Sequence, residues 1–163
     1  MSDERFEERV ERFLKAKRIA IWGVADSKSD PGWSVANRLR KRNIDVIAVN
    51  PGFEDDPEQK RASSLTRIDP PVDAVLFYVD RPQTSEAVDD CLEAGTGLVW
   101  LHDALSKGSA VPKAIERLES AGCDVIPGLC PMFFLKPVDP AHFCLKWILR
   151  FTGKTRRVCQ VTH

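Results

Sequence analysis

A glycine turn carries the residues that are best suited to bind a ligand. It joins an apolar strand candidate, Ile19–Gly23, to a helical pattern over Trp33–Arg42, and Asp30 is placed to cap that helix ahead of Pro31. A helix that follows such a turn directs free N–H groups and a partial positive charge at the space above it, where phosphate groups bind well. The predicted binding residues of the turn are Gly23, Val24, Ala25, Ser27 and Lys28.

The same turn lacks the glycine pattern of ordinary dinucleotide-binding enzymes. Ala25 and Lys28 stand where the second and third glycines of that pattern belong. The second strand candidate ends at Asn50, whereas a nicotinamide site usually has an acidic residue there for the ribose hydroxyls. An NAD(P)-dependent oxidoreductase remains an alternative, and His102 is its acid–base candidate.

Strands and helices alternate along the chain, which predicts a Rossmann-like, doubly wound α/β fold. The strands read as apolar runs, as expected for a mostly parallel sheet that is covered on both faces. We expect five strands in the order 3-2-1-4-5, flanked by helices. The strand candidates are Ile19–Gly23, Val46–Val49, Ala74–Val79, Leu98–Leu101 and Asp124–Ile126, and the helical patterns are Trp33–Arg42, Thr84–Ala94 and Ser109–Ser120.

Single-domain length predicts one domain over residues 1–163, with a core at 18–131. Amphipathic spacing predicts an N-terminal helix over 3–17, and an apolar stretch predicts a C-terminal helix over 140–152 that packs on the sheet or on a second subunit. The proline-containing segment 50–73 is predicted as a long loop or a short helical crossover. It either folds over a ligand or serves as a solvated connector.

Ligands of open parallel sheets bind outside the carboxyl ends of the strands. Beyond the glycine turn, the predicted binding residues at these ends are Val49, Asn50, Pro51, Tyr78, Val79, Arg81, Pro82, Leu101, His102 and Cys130. Arg81 either binds a phosphate or pairs with a surface carboxylate. Trp100 is expected in the core, and thiol exchange at Cys130 is a minor hypothesis.

Composition excludes several classes of function. The chain has 24 basic and 24 acidic residues, so no overall field would hold it on nucleic acid or on an anionic membrane. No apolar run is long enough to span a bilayer and the start does not resemble a signal peptide, so a cytoplasmic location is expected. The spacing of five cysteines and three histidines predicts neither a disulfide framework nor a metal site.

The strand ends, taken together, resemble those of small stand-alone CoA-binding proteins, whose Rossmann-like domain is similar to the N-terminal domain of the succinyl-CoA synthetase α subunit. The segments that carry the resemblance are Ile19–Ala25, Val49–Pro51, Arg81-Pro82, Val99–His102 and Cys130-Pro131. The resemblance implies coenzyme A or an acyl-CoA across the strand ends. Its pyrophosphate would lie near Gly23–Lys28, its adenosine near Asn50-Pro51, and its remaining contacts over Tyr78–Pro82.

The resemblance implies a binding module and no catalytic residue, because the phosphorylated histidine of the synthetase belongs to a second domain for which this chain has no room. A regulatory or accessory role is expected, with an acyl-CoA enzyme or a second copy of the chain as partner. A ligand-free oligomerising scaffold is a further alternative. The chain departs from the family at Ala25, Gly52, His102 and Leu129, where a serine, a basic residue, a glutamine and an arginine are common.

Overall fold

The structure, a computed structural model, describes residues 3–103 and 108–135, which form a parallel sheet between helices. The strands are β1 Arg18–Trp22, β2 Asp45–Val49, β3 Arg61–Ala62, β4 Ala74–Phe77, β5 Leu98–Leu101 and β6 Asp124–Pro127. The α-helices are α1 Asp3–Lys15, α2 Pro31–Arg40, α3 Thr84–Ala94 and α4 Pro112–Ser120. Short 3₁₀ helices follow at Leu65–Arg67, Arg81–Gln83 and Pro131–Phe133.

The predicted Rossmann-like α/β class is confirmed, with one strand more than expected. The order within the described residues is β3-β2-β1-β4-β5-β6, and every neighbouring pair is parallel. The strand that the sequence did not predict, β3, takes the edge position beside β2. Ala74–Phe77 is therefore the fourth strand, and it pairs with β1.

Apolar side chains bury both faces of the sheet, which explains why the strands read as unbroken apolar runs. On one face the sheet packs against α1 and α2, through residues that include Phe13 and Leu39. On the other face it packs against α3 and α4, through residues that include Val88 and Leu118. Trp100 is fully buried, and its indole N–H donates to the Gly128 carbonyl at 2.9 Å, so it is a core residue as expected.

Helix ends agree with the caps that the sequence offers. Asp30 caps α2 by accepting the Gly32 N–H at 2.7 Å, and Pro31 occupies the first turn. The N-terminal helix is held by Arg9, which donates to the Val125 carbonyl at 2.8 Å.

The predicted C-terminal helix over 140–152 lies outside the described residues. Within them, no helix has both the length and the apolar character needed to cross a membrane.

The segment 50–73 is more ordered than predicted, because Asp90 of α3 fastens its second half to the sheet. The Asp90 carboxylate accepts the Trp22 indole N–H at 2.7 Å, the Ser64 hydroxyl at 2.5 Å and the Leu65 N–H at 3.0 Å. The loop or helical crossover that we expected therefore contains β3 and the 3₁₀ helix Leu65–Arg67. The reason is a long-range anchor, which local sequence patterns do not show.

We expect Asp90→Asn to destabilise the fold by about 1–3 kcal/mol, because three donors lose a charged acceptor in a half-buried place. Chemical denaturation of the purified variant measures this change. Asp89→Asn is the matched control, since the exposed Asp89 pairs with Arg117 at the surface and its loss should cost less than about 1 kcal/mol. Equal effects of the two substitutions would contradict the anchoring role.

Candidate ligand site at the carboxyl ends of the strands

The carboxyl ends of the strands meet along one edge of the sheet. Backbone hydrogen bonds link them: the Gly23 N–H donates to the Val49 carbonyl at 2.7 Å, and the Tyr78 N–H to the Trp22 carbonyl at 2.8 Å. Further along the edge, the His102 N–H donates to the Phe77 carbonyl at 3.1 Å. The ends of β1, β2, β4 and β5 thus lie along the same edge.

Those predicted residues divide into an accessible set and a buried set. The partly or fully exposed residues are Gly23, Ala25, Ser27, Lys28, Asn50, Pro51, Arg81 and Pro82. The buried residues are Val24, Val49, Tyr78, Val79, Leu101, His102 and Cys130. Val24, Tyr78 and Cys130 pack in the core cluster on one face of the sheet, whereas Val49, Val79 and Leu101 pack in the cluster on the other face. The accessible set contains the residues that a ligand could contact first.

Gly23 is required by the fold itself. Its φ of +99° lies in the left-handed region that favours glycine, and a Cβ there would lie 2.1 Å from Val79 Cγ1 and 2.8 Å from the Tyr78 carbonyl oxygen. The turn therefore passes against the end of β4 at a distance that no side chain permits. This packing fully explains the glycine without a ligand.

The Asp30 carboxylate accepts hydrogen bonds from backbone N–H groups of the turn between β1 and α2, which are groups of the kind that bind anions. One carboxylate oxygen accepts the Gly32 N–H at 2.7 Å, and the other accepts the Ala25 N–H at 3.1 Å. The Trp33 indole closes the turn from the other side by donating to the Ala25 carbonyl at 3.0 Å. Donors that would otherwise face a phosphate are thus bonded to a carboxylate of the chain.

Asn50 connects the end of β2 to this turn. Its Nδ2 donates to the Val24 carbonyl at 3.0 Å, and its Oδ1 accepts the Gly52 N–H at 2.9 Å. Only an amide supplies both a donor and an acceptor here, and an aspartate would place an oxygen against the carbonyl. The amide at the strand end, unusual for a nicotinamide site, therefore has a structural cause.

Three residues beside this turn were missed by the sequence reasoning: Trp33, Phe53 and Arg61. The Arg61 guanidinium lies 5.8 Å from the centre of the Trp33 ring and 5.1 Å from that of Phe53. Its Nη1 is 2.7 Å from Asp26 Oδ1. No local sequence pattern indicates that Asp26 and Arg61 would pair, because they are distant along the chain. The two aromatic residues could have been noticed, since Trp33 follows the turn and Phe53 follows Asn50.

Comparison with known proteins decides the family. The model of the CoA binding domain family matches residues 17–136. The chain belongs to the CoA binding domain family. The match includes every strand of the sheet and the whole edge described above, so CoA binding in general is the property of this domain.

Several known proteins are similar to this chain at low sequence identity. The uncharacterized protein YneT of Bacillus subtilis (strain 168) is 28% identical over 116 residues, which cover 71% of this chain and 83% of YneT. A hypothetical protein from Pyrococcus horikoshii OT3 aligns with a TM-score of 0.65 at 23% identity, covering 81% of this chain and 88% of its own. A dinucleotide-forming acetyl-coenzyme A synthetase of Ca. Korarchaeum cryptofilum, solved with phosphate and ADP, aligns at 0.59 and 20% identity, over 71% of this chain and 26% of its own.

Two candidates for chemistry in this CoA-binding domain are interior groups. His102 is 2% exposed, and its ring centre lies 4.6 Å from that of Tyr78. Burial raises the pKa of the Cys130 thiol to about 11. Thiol exchange needs the thiolate, so burial disfavours that hypothesis for Cys130. Among the described residues, no group of histidine, cysteine and acidic side chains is arranged to hold a metal ion.

Arg81 lies away from the turn of the CoA-binding domain. It lines a groove of about 190 Å³ between α3 and α4, together with Lys113 and Arg117. This groove is on the α3 and α4 face of the sheet, whereas Trp33 packs with the cluster on the opposite face. The structure therefore does not bring Arg81 together with Gly23, Ala25 and the other residues of the turn.

Gly23→Ala should destabilise the CoA-binding domain by about 2 kcal/mol or more, because the new Cβ meets Val79 and the Tyr78 carbonyl at a positive φ. Thermal or chemical unfolding measures the loss. Gly97→Ala is the control, since nothing lies within 4 Å of its Cβ, and it should change stability by less than about 0.5 kcal/mol. A Gly23→Ala variant as stable as the control would remove the packing argument.

Alkylation of Cys130 by iodoacetamide at pH 8 should be roughly a hundredfold slower in the native domain than in the chain unfolded in urea, because its raised pKa leaves little thiolate. Mass spectrometry of the peptide that contains Cys130 gives both rates. The native rate should increase as the pH rises toward 11. Labelling at the unfolded rate would show that the thiol is accessible and reactive, and would restore the exchange hypothesis.

Proposed function

We propose that this chain binds coenzyme A or an acyl-CoA non-covalently at the carboxyl ends of β1, β2, β4 and β5, as a regulatory or accessory module. The observation that carries the proposal is the set of accessible residues along one edge of a sheet that belongs to the CoA binding domain family. Open parallel sheets bind nucleotides at this edge. The pKa of the Cys130 thiol, raised to about 11 by burial, disfavours covalent exchange with the thiol of a bound CoA.

The hydrogen bonds within the turn suggest which of its residues would contact a pyrophosphate. Asp30 holds the Ala25 and Gly32 N–H groups, so those donors are not offered to a ligand. Ser27 and Lys28 are exposed on the outer side of the same turn. We therefore place the pyrophosphate against Ser27 and Lys28, with the positive end of α2 behind them.

We place the adenosine and the pantetheine arm of the ligand on the two sides of the pyrophosphate, along the ends of the strands. Asn50 and Pro51 are accessible at the end of β2, beside the turn, and we place the adenosine there. We place the pantetheine arm along the ends of β4 and β5, beyond Tyr78.

Isothermal titration with coenzyme A, acetyl-CoA and NADP tests the proposal, with native mass spectrometry of the freshly purified chain as a second readout. We expect saturable binding of the two CoA compounds at one per chain and weaker binding of NADP. Tighter binding of NADP would favour the oxidoreductase alternative. No binding of any of the three, with a folded protein, would favour the scaffold alternative.

Asn50→Asp should weaken coenzyme A binding by about tenfold, because the carboxylate loses the bond to the Val24 carbonyl and adds negative charge beside the phosphates. Titration of the variant measures the change. Asn37→Asp makes the same change of charge on the exposed face of α2 and should bind like the original chain. Equal affinities of the two variants would place the adenosine elsewhere.

A further inference from the structure

We propose that Arg61 binds the phosphate group on the adenosine ribose of the ligand and makes the site selective for 3′-phosphorylated adenosine, which distinguishes coenzyme A from dephospho-CoA. The inference rests on the proposed function and adds a residue and a selectivity to it. It starts from three contacts of one side chain: the Arg61 guanidinium with Trp33, Phe53 and Asp26.

Arg61 lies beside the carboxyl end of β2. Arg61 belongs to the edge strand β3 and lies level with Ala48 of β2, while the next residue accepts the Asn50 N–H at 3.1 Å. In dinucleotide-binding sheets the ribose lies at the carboxyl end of the second strand, and a nearby arginine accommodates the 2′-phosphate of NADP. The 3′-phosphate of coenzyme A is attached to the neighbouring carbon of the same kind of ribose. Arg61 reaches that end from a neighbouring strand.

The Arg61 guanidinium is partly buried and lies over two aromatic rings. Arg61 has a side chain only 28% exposed, and the rings of Trp33 and Phe53 each lie within 6 Å of its charge. Such contacts favour one orientation of a flexible side chain before any ligand arrives. Binding of a ligand to this guanidinium therefore costs less side-chain conformational entropy than binding to a lysine that moves freely in water.

Asp26 is the partner that a phosphate would replace. The Asp26 side chain is 73% exposed, and an exposed carboxylate binds its cation weakly in water. A phosphate carries more charge and matches the fork of a guanidinium with two oxygens. Exchange of Asp26 for a ribose phosphate is thus favourable, and removal of the Asp26 charge should make it more so.

Other cations near Arg61 have different polar partners, although Arg40 also lies over the Trp33 ring, at 5.9 Å. Lys60 pairs with Asp45 at 3.1 Å, at the opposite end of β2 from Asn50. Arg40 donates to the Val46 carbonyl at 2.9 Å, and burial lowers its pKa. Arg67, 69% exposed, lies 4.0 Å from Asp55. Of these four, Arg61 is the one that lies beside both the turn and the end of β2.

The test compares coenzyme A with dephospho-CoA, which lacks only the 3′-phosphate, by isothermal titration at fixed salt. We expect the original chain to bind coenzyme A about tenfold more tightly than dephospho-CoA. In Arg61→Gln the two affinities should become equal, through loss of coenzyme A binding alone. Asp26→Asn should strengthen coenzyme A binding more than dephospho-CoA binding, because both gain from the lost negative charge beside the pyrophosphate but only coenzyme A gains from the freed guanidinium. Arg67→Gln, the matched control, should behave like the original chain.

The possible failures are distinguishable. If the original chain binds neither compound, the proposed function fails and this inference fails with it. If it binds both equally, or if Arg61→Gln keeps the tenfold preference, coenzyme A binding stands and the role of Arg61 is wrong. Thermal melts of each variant check the fold, and Asp26→Asn provides a readout that leaves the packing of Arg61 against Trp33 and Phe53 in place.

Discussion

The close approach of Gly23 to the end of β4 is the constraint on which the candidate site depends. The turn after β1 passes so near Val79 and the Tyr78 carbonyl that no Cβ fits. From that point the chain reaches the Asn50 amide at Val24 and then the Asp30 carboxylate at Ala25. The same contact thus sets the height of the turn above the sheet and the direction in which α2 begins, which together define where an anion could lie.

The turn also shows how the backbone donors at a helix start are satisfied within the chain. Backbone donors at a helix start are costly to leave unpaired, and the Asp30 carboxylate satisfies two of them. Asp26 does the same for the Arg61 guanidinium. Carboxylates of the chain thus take positions at which, under the proposed function, a ligand phosphate would have to bind beside them or displace them.

Much of the framework could be predicted from sequence because its signals are local. Apolar runs such as Ala74–Phe77 are unbroken, Asp30 precedes Pro31 at a helix start, and Trp100 lies within an apolar strand. The strand β3 was missed because two residues in a proline-containing segment carry no period that could be recognised. Its existence depends on pairing with β2 and on the Asp90 anchor, which are contacts distant in sequence.

The least predictable element is therefore the one that would most affect ligand choice. Residues along the turn were found from the ends of predictable strands, but their chemistry would suit any ligand with a pyrophosphate. Arg61 differs because β3 carries it to the end of β2, where the selectivity that we propose would arise. Under that proposal, a short edge strand adds selectivity to a common sheet without change to the strands that hold the core.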